Sequence, residues 1–146
     1  MPHSYFKDHT IDDDQEAALH RLLDMELTYQ TVDALAKAVH LRNIEAGWWS
    51  DAKGNSKDRN TGELLMLAVS ELAEAMEGDR KNLQDDHLPQ YKMFDVELAD
   101  TVIRILDMAG SRNIPLGQII KAKLEYNANR ADHKPEARAA EGGKRY

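Results

Sequence analysis

The sequence contains no cysteine, and it has few aromatic residues and few prolines. The absence of cysteine excludes disulfide bonds and thiolate metal sites, and it favours a reducing, cytoplasmic setting. No apolar run approaches the roughly 20 residues that a membrane span requires. The first residues, MPHSYFKDHT, also lack the apolar core of a secretory signal. We therefore expect no membrane partner.

Basic residues are outnumbered, with 19 Lys and Arg against 26 Asp and Glu, so the formal net charge is -7. A protein that binds a nucleic-acid polymer needs a basic face to displace counterions, and this balance argues against such a partner. An anionic small substrate would need a metal ion or local lysines. A chain of 146 residues is long enough to bury a real core, and we expect a single domain over 1–146.

The apolar periodicity is helical throughout and no stretch alternates with period two, which predicts an all-α fold of about four to five helices. The first helix follows the acidic residues 12–14. A slip in the phase of the apolar positions places a break near 28–31, and a second helix then runs to about Glu45. Residues 47–61, GWWSDAKGNSKDRNT, predict a loop.

Three further helices are predicted after this loop. Asn60 and Glu63 resemble a capping box that opens the third helix, which Gly78 and Asp79 close. The fourth spans about 91–109 with Gly110 as its terminator, and the fifth begins at Pro115 and continues to about 131. Residues 134–146 have little to bury and predict a mobile tail.

Two pairs of carboxylates at i, i+3 spacing lie in otherwise apolar sequence. They are Glu71 with Glu74 in SELAEA and Glu97 with Asp100 in VELAD. Projection at about 100° per residue places Glu71 within the apolar arc of the third helix and Glu74 at its edge. The fourth helix keeps almost no polar face and should be central. Buried carboxylates in proximity are tolerable only with compensating positive charge.

Hard oxygen ligands select Mg²⁺ or Mn²⁺ over zinc, and no HExxH motif or cysteine cluster competes with them. We interpret the four acids as ligands of Mg²⁺, for which Mn²⁺ can substitute. The alternative is that Arg104, which lies between Glu97 and Asp100 in projection, and Arg80 pair with the acids as structural salt bridges. Asp107 either supports the site or complements Arg104.

The last helix carries a row of polar and basic residues at i, i+4, i+7 and i+11: Lys123, Asn127, Arg130 and Lys134. Such a row can hold a polyphosphate, and the alternative is an ordinary solvated helix face. In the predicted loop, Trp48 and Trp49 can stack on a nucleobase whose edge Asp51 or Asn55 reads, and we expect a base contact from one of them. The alternative is that they pin the loop to the core.

The motifs SELAEA and ELAD, followed by KLEYNANR, resemble those of the MazG-like nucleoside triphosphate pyrophosphohydrolases. This family belongs to an all-α superfamily that includes dimeric dUTPases and phosphoribosyl-ATP pyrophosphohydrolases. The resemblance covers about Ala46 to Lys134. It implies a MazG-like helical bundle in which the two acidic motifs bind Mg²⁺ and Lys123, Asn127 and Arg130 contact the phosphates. It also implies a homodimer or homotetramer with sites lined by more than one subunit.

One departure from the family pattern concerns the metal. Family members often carry a further acid just upstream of the first motif, where this chain has Leu67 and Ala68, and the number of metal ions is left open. The nearly apolar fourth helix independently predicts association.

The expected function is Mg²⁺-dependent hydrolysis of a nucleoside or deoxynucleoside triphosphate to the monophosphate and pyrophosphate. Glu71 or Glu74 would orient or deprotonate the attacking water. The aromatic loop and Asp51 favour a purine such as dGTP. The alternative is a catalytically silent helical module that binds a nucleotide or regulates a partner protein.

Overall fold

The computed structural model describes residues 13–130, and within them it contains five helices and no strand. The helices are α1 Asp13–Asp24, α2 Glu26–Glu45, α3 Thr61–Lys81, α4 Met93–Ser111 and α5 Leu116–Ala128. The predicted all-α class is confirmed for this range. None of these helices combines the length and the apolar character needed to cross a membrane. The predicted tail, 134–146, lies outside the described residues.

The chain divides into two compact units. Among the described residues, the first unit holds 13–31 and 117–130, which include α1, the start of α2 and nearly all of α5. The second unit, Val32–Leu116, holds the rest of α2 together with α3 and α4. That the chain is one domain stays a prediction.

In the first unit, the break between α1 and α2 comes earlier than the predicted range 28–31. The Thr28 hydroxyl donates to the carbonyl oxygen of Leu22 at 2.8 Å, and the Tyr29 hydroxyl donates to that of Leu23 at 2.7 Å. A helix end leaves its last carbonyls without partners, so these two bonds stabilise the end of α1. The predicted range for the break was too late, because Thr28 and Tyr29 already lie in the first turn of α2.

The other packing in the first unit joins α5 to the start of α2. Gly117 is buried against the backbone carbonyl of Tyr29, where no Cβ would fit. Lys121 Nζ lies 2.9 Å from Glu26 Oε2, and Gln118 also donates to this carboxylate. These contacts fix the side of α5 that faces α2.

The start of α3 was predicted correctly and its end was not. The Asn60 side chain accepts a hydrogen bond from the Glu63 backbone N–H at 3.1 Å, which is the expected N-cap. The helix continues through Gly78 to Lys81 and ends at Asn82, whose φ of 51° lies in the left-handed region. Gly78 is not a terminator because it is a buried packing position.

Helices α3 and α4 form an antiparallel hairpin. At one end, a Cβ built on Gly78 would lie 2.9 Å from Met93 Cβ, so this glycine allows the two helices to approach closely. At the other end, Arg112 Nη2 donates to Thr61 Oγ1 at 2.7 Å. The hairpin therefore brings the middle of α3 against the middle of α4, where the acidic motifs lie.

Helix α4 also packs on α2 through Ala36, Leu106 and Ala109, the buried residues of this core. Gly110 lies inside α4 and not beyond its end, contrary to the sequence prediction. Glycine is required at this position because a side chain would collide with the carbonyl of Ala36. The prediction that α4 is central holds for its contacts with α2 and α3 only. Val102, one turn before Leu106 on the same face, is 52% exposed.

We expect Gly110→Ala to destabilise the protein. The added methyl group would lie 2.7 Å from His40 Cβ and closer still to the carbonyl oxygen of Ala36. Alanine favours a helix over glycine by about 1 kcal/mol, but overpacking costs about 1–3 kcal/mol, so the free energy of unfolding in urea should fall. Ala99→Gly, at an exposed position of α4, measures the difference in helix propensity between alanine and glycine without the change in packing. A urea concentration at the unfolding midpoint of Gly110→Ala that equals or exceeds that of the wild type would contradict the close packing.

Candidate metal centre

Three of the four predicted ligands lie together in the α3–α4 hairpin. One carboxylate oxygen from each of Glu71, Glu97 and Asp100 lies within 4.8 Å of the other two. Two oxygens on opposite sides of one Mg²⁺ or Ca²⁺ ion are about 4–5 Å apart, twice the metal–oxygen distance. Glu71 and Glu97 are buried and Asp100 is more exposed. The spacing of the three groups therefore suits a single divalent cation.

Glu74, the fourth predicted ligand, lies outside this three-acid group. It is exposed, as its position at the edge of the apolar arc predicted. Its charge nevertheless acts on the group, because Glu74 raises the pKa of Glu97 more than any other acid does. Glu74 therefore lies at the solvent side of the candidate site and not among the grouped carboxylates.

A further acid, Asp85, belongs to the same electrostatic environment and was not predicted. It is buried in the connection between α3 and α4, and its Oδ1 accepts hydrogen bonds from the backbone N–H groups of His87 at 2.9 Å and Leu88 at 2.6 Å. Its charge raises the pKa of both Glu97 and Asp100. The one sequence signal was an aspartate in a polar turn, the pattern of an Asx turn.

The environment of Glu97 is the most unfavourable of the site for a carboxylate. Burial first, and then the negative charges of four neighbouring acids, together raise its pKa from 4.5 to about 7. Burial also raises the pKa of Asp100, while Arg104 acts against this shift. Within the described residues, the Glu97 carboxylate has no hydrogen bond and no ion pair. A buried carboxylate without a partner is stabilised by a cation or a proton.

The alternative of structural salt bridges is realised at one acid. Arg104 Nε and Nη2 both lie 2.9 Å from Glu71 Oε1. Arg80 contacts Glu77 at 3.7 Å instead of the acidic motifs. Because the guanidinium pairs with only one of at least three carboxylates, the site keeps an excess of negative charge.

Trp49 anchors the loop 47–60 to the core of its unit. Its Nε1 donates to the Asp107 carboxylate at 3.0 Å and 3.2 Å, and His40 Nδ1 lies 2.7 Å from the same carboxylate. The His40 ring also meets the Trp49 ring edge-on at 4.9 Å between centroids. Asp107 thus holds Trp49 and His40 and does not pair with Arg104. This arrangement matches the alternative in which a tryptophan pins the loop.

Trp48 differs from its neighbour because it is 55% exposed and lies beside the acidic site. Its ring centroid is 5.7 Å from the guanidinium carbon of Arg104. The Asp51 carboxylate accepts hydrogen bonds from the backbone of Lys53 and Asn55 and from the Asn55 amide, so it shapes the loop. Asp51 therefore no longer supports a preference for guanine. A base contact by Trp48 or Trp49 stays a prediction.

The predicted phosphate contacts belong to the first unit. Lys123 Nζ lies 4.8 Å from the ring centroid of Tyr126, and the Arg130 guanidinium carbon lies 5.7 Å from it. Asn127 Oδ1 is buried and has no hydrogen-bond partner within the described residues. Lys134 lies outside those residues. A phosphate-binding role for Lys123, Asn127 and Arg130 stays a prediction.

An open apolar cavity of about 390 Å³ borders the three-acid group at Asp100. Its other lining residues come from α4 and the preceding connection: Leu88, Tyr91, Asp95, Val96, Ala99 and Ile103. Its volume falls in the range of small-molecule pockets. Asp100 therefore borders both the acidic group and an apolar space.

Comparisons of the chain with family models, with curated proteins and with solved structures found no match. What the site binds therefore has to be inferred from its own charge, burial and spacing.

In the metal-free protein, we expect Glu97 to make the free energy of unfolding rise as the pH falls from about 7 towards 4.5. In this interval the folded state holds a proton on Glu97 that the unfolded chain, with an ordinary glutamate pKa, does not bind. The contribution is therefore lost as the pH rises through about 7. Urea unfolding in EDTA across this interval measures it.

Glu97→Gln should remove this part of the pH dependence, whereas Glu45→Gln, at an exposed position of α2, should leave it unchanged. Identical pH profiles for the wild type and Glu97→Gln would contradict the environment described for Glu97.

Proposed function

We propose that this chain is a MazG-like nucleoside triphosphate pyrophosphohydrolase that requires Mg²⁺. The observation that carries the proposal is Glu97, a residue only 7% exposed, whose carboxylate has no partner within the described residues and shares a group with Glu71 and Asp100. An acidic group of this kind is stabilised by a divalent cation, and a cation in turn favours a polyphosphate ligand. The resemblance of the SELAEA and ELAD motifs supports the same activity.

The residues fit a hard divalent ion because every candidate donor is a carboxylate oxygen. Glu71, Glu97 and Asp100 would hold Mg²⁺, with Mn²⁺ as a substitute. When bound, the ion would neutralise phosphate charge and lower the pKa of the attacking water. Glu74, exposed at the edge of the group, is suited to orient that water and to accept its proton. Glu71 is less suited to this role because Arg104 already engages it.

In the proposed reaction, a water oxygen bonds to phosphorus and the anhydride bond between the α and β phosphates breaks. The proton leaves to a carboxylate, and the products are a nucleoside monophosphate and pyrophosphate. The resemblance assigns phosphate contacts to Lys123, Asn127 and Arg130. The apolar cavity beside Asp100 is suited to the nucleoside part of the substrate, and the preference for a deoxynucleotide and a purine such as dGTP stays a prediction.

We also propose that the protein is a homodimer or homotetramer. Two stripes of exposed apolar side chains at helical spacing support association: Leu65, Val69, Leu72 and Met76 on α3, and Leu98, Val102 and Ile105 on α4. Each of these side chains is at least 40% exposed. Contiguous apolar faces of this kind are typical of surfaces that another protein covers.

We expect Glu97→Gln and Asp100→Asn each to lower kcat by at least about a hundredfold, because metal and electrostatic stabilisation contribute several kcal/mol. The measurement is release of pyrophosphate from a panel of the common nucleoside and deoxynucleoside triphosphates, with Mg²⁺ and with EDTA. Circular dichroism checks that the variants are folded.

Asp79→Asn, at an exposed position near the end of α3, is the matched control and should retain wild-type turnover. Near-normal hydrolysis by both site variants would refute the assignment of the site. Mg²⁺ binding by the wild type without hydrolysis of any triphosphate would instead favour the silent nucleotide-binding module.

Light scattering should report the mass of a dimer or a tetramer for the wild-type chain. Val102→Lys should shift the protein towards the monomer, because it places a charge in the middle of the exposed apolar stripe of α4. The side chain is 52% exposed, so the substitution should leave the fold intact. A monomeric wild type would contradict the proposed association.

A further inference from the structure

Arg104 occupies a position between the acidic site and the loop 47–60. Its Nε and Nη2 both lie 2.9 Å from Glu71 Oε1, and its guanidinium carbon lies 5.7 Å from the ring centroid of Trp48. The Arg104 side chain is 30% exposed, so it is accessible to solvent beside the three-acid group. One flat cation thus contacts both the carboxylate of the buried residue Glu71 and the ring of Trp48.

The pairing between Arg104 and Glu71 uses a carboxylate that the metal centre also needs. Glu71 contributes a ligand atom to the group in which the three carboxylates lie within 4.8 Å of one another. A divalent ion in that group and the guanidinium would repel each other and would draw on the same carboxylate. Arg104 is also the one cation that forms an ion pair with the three acids within residues 13–130. The protein therefore carries its own competitor for the metal.

We propose, on the basis of the function proposed above, that Arg104 binds a phosphate of the substrate after a divalent ion has displaced its guanidinium from Glu71. A guanidinium presents a rigid fork of donors that matches phosphate oxygens, and charge-assisted bonds of this kind are strong. The donors released from Glu71 would face the same cation-binding group to which the phosphates are drawn. Arg104 thus converts metal binding into phosphate binding.

Trp48 acquires a role in the same exchange. A cation over the face of a tryptophan is attracted by the ring, and this contact does not depend on the Glu71 carboxylate. The indole ring therefore keeps the guanidinium beside the site after the pairing with Glu71 is broken. Trp48 is then a positioning residue for Arg104, and its fluorescence reports the movement of the guanidinium.

The proposal gives Arg104→Gln opposite effects on two ligands. The free variant should bind Mg²⁺ more tightly than the wild type, because the competing cation is gone. At saturating Mg²⁺, it should bind a non-cleavable α,β-methylene triphosphate about tenfold more weakly or worse, as expected for the loss of a charge-assisted hydrogen bond. A salt bridge that only supports the fold would not weaken binding of the analogue once the metal is in place.

Calorimetric titration of the full chain with Mg²⁺ alone, and then with the analogue, measures both effects. Arg112→Gln is the matched control, because Arg112 lies beyond α4 and bonds to Thr61 at the other end of the hairpin. It should match the wild type for both ligands. Mg²⁺ alone should also change the tryptophan fluorescence of the wild type, and Trp48→Phe should abolish that change.

Arg104→Lys keeps the test decisive if Arg104→Gln does not fold, because a lysine retains the charge and loses the fork. It should bind Mg²⁺ as the wild type does and the analogue more weakly. Unchanged affinity for the analogue in every folded Arg104 variant would overturn the proposal, as would a wild type that binds no Mg²⁺.

The two proposals can fail separately. Hydrolysis that responds to Glu97→Gln but not to either Arg104 variant would overturn the role of Arg104 and leave the proposed function standing. The predicted shifts in Mg²⁺ and analogue affinity, in a protein that hydrolyses no triphosphate, would support Arg104 as a phosphate-binding residue and overturn the proposed function.

Discussion

Uncompensated negative charge inside the α3–α4 hairpin is the constraint on which the other features of the site depend. Glu71 and Glu97 are buried where the two helices meet, and Asp100 adds a third carboxylate within 4.8 Å. Burying charges of one sign is costly unless they are paired, protonated or bound to a cation. The raised pKa of Glu97 records this cost, because burial and neighbouring acids both disfavour its charged form. A cation bound by the group would offset this cost.

The surrounding structure holds these carboxylates in place by contacts of a different kind. Gly78 lets α3 and α4 approach closely, and Gly110 does the same for α4 and α2. Asp85 orders the turn between the hairpin helices through two backbone hydrogen bonds. On the remaining side, Asp107 fixes the loop 47–60 through Trp49. These contacts place the acids on a preorganised scaffold, as the proposed metal centre would require.

Much of the fold and part of the site follow from local sequence patterns. Helical periodicity predicted the all-α class, and projection of α3 correctly separated buried Glu71 from exposed Glu74. The ends of α3 and α4 were wrong because Gly78 serves close packing, as Gly110 does, and local sequence does not distinguish this use of glycine from a helix terminator. Asp85 and the pairing of His40 with Asp107 were missed because such contacts depend on tertiary structure and have no period.

The pairing of Arg104 with Glu71 was first an alternative to a metal site, and under the proposals above it belongs to the metal-free state alone. If arginine neutralised the acids as a structural device, each buried carboxylate of the group should have a cationic partner. Arg104 instead meets Glu71, and Glu97 carries the raised pKa without a partner within the described residues. A single guanidinium on the edge of the group thus lowers the cost of the metal-free state while leaving the centre accessible. The proposed metal centre would exist both with and without its ion, and it would need such a partial, displaceable countercharge.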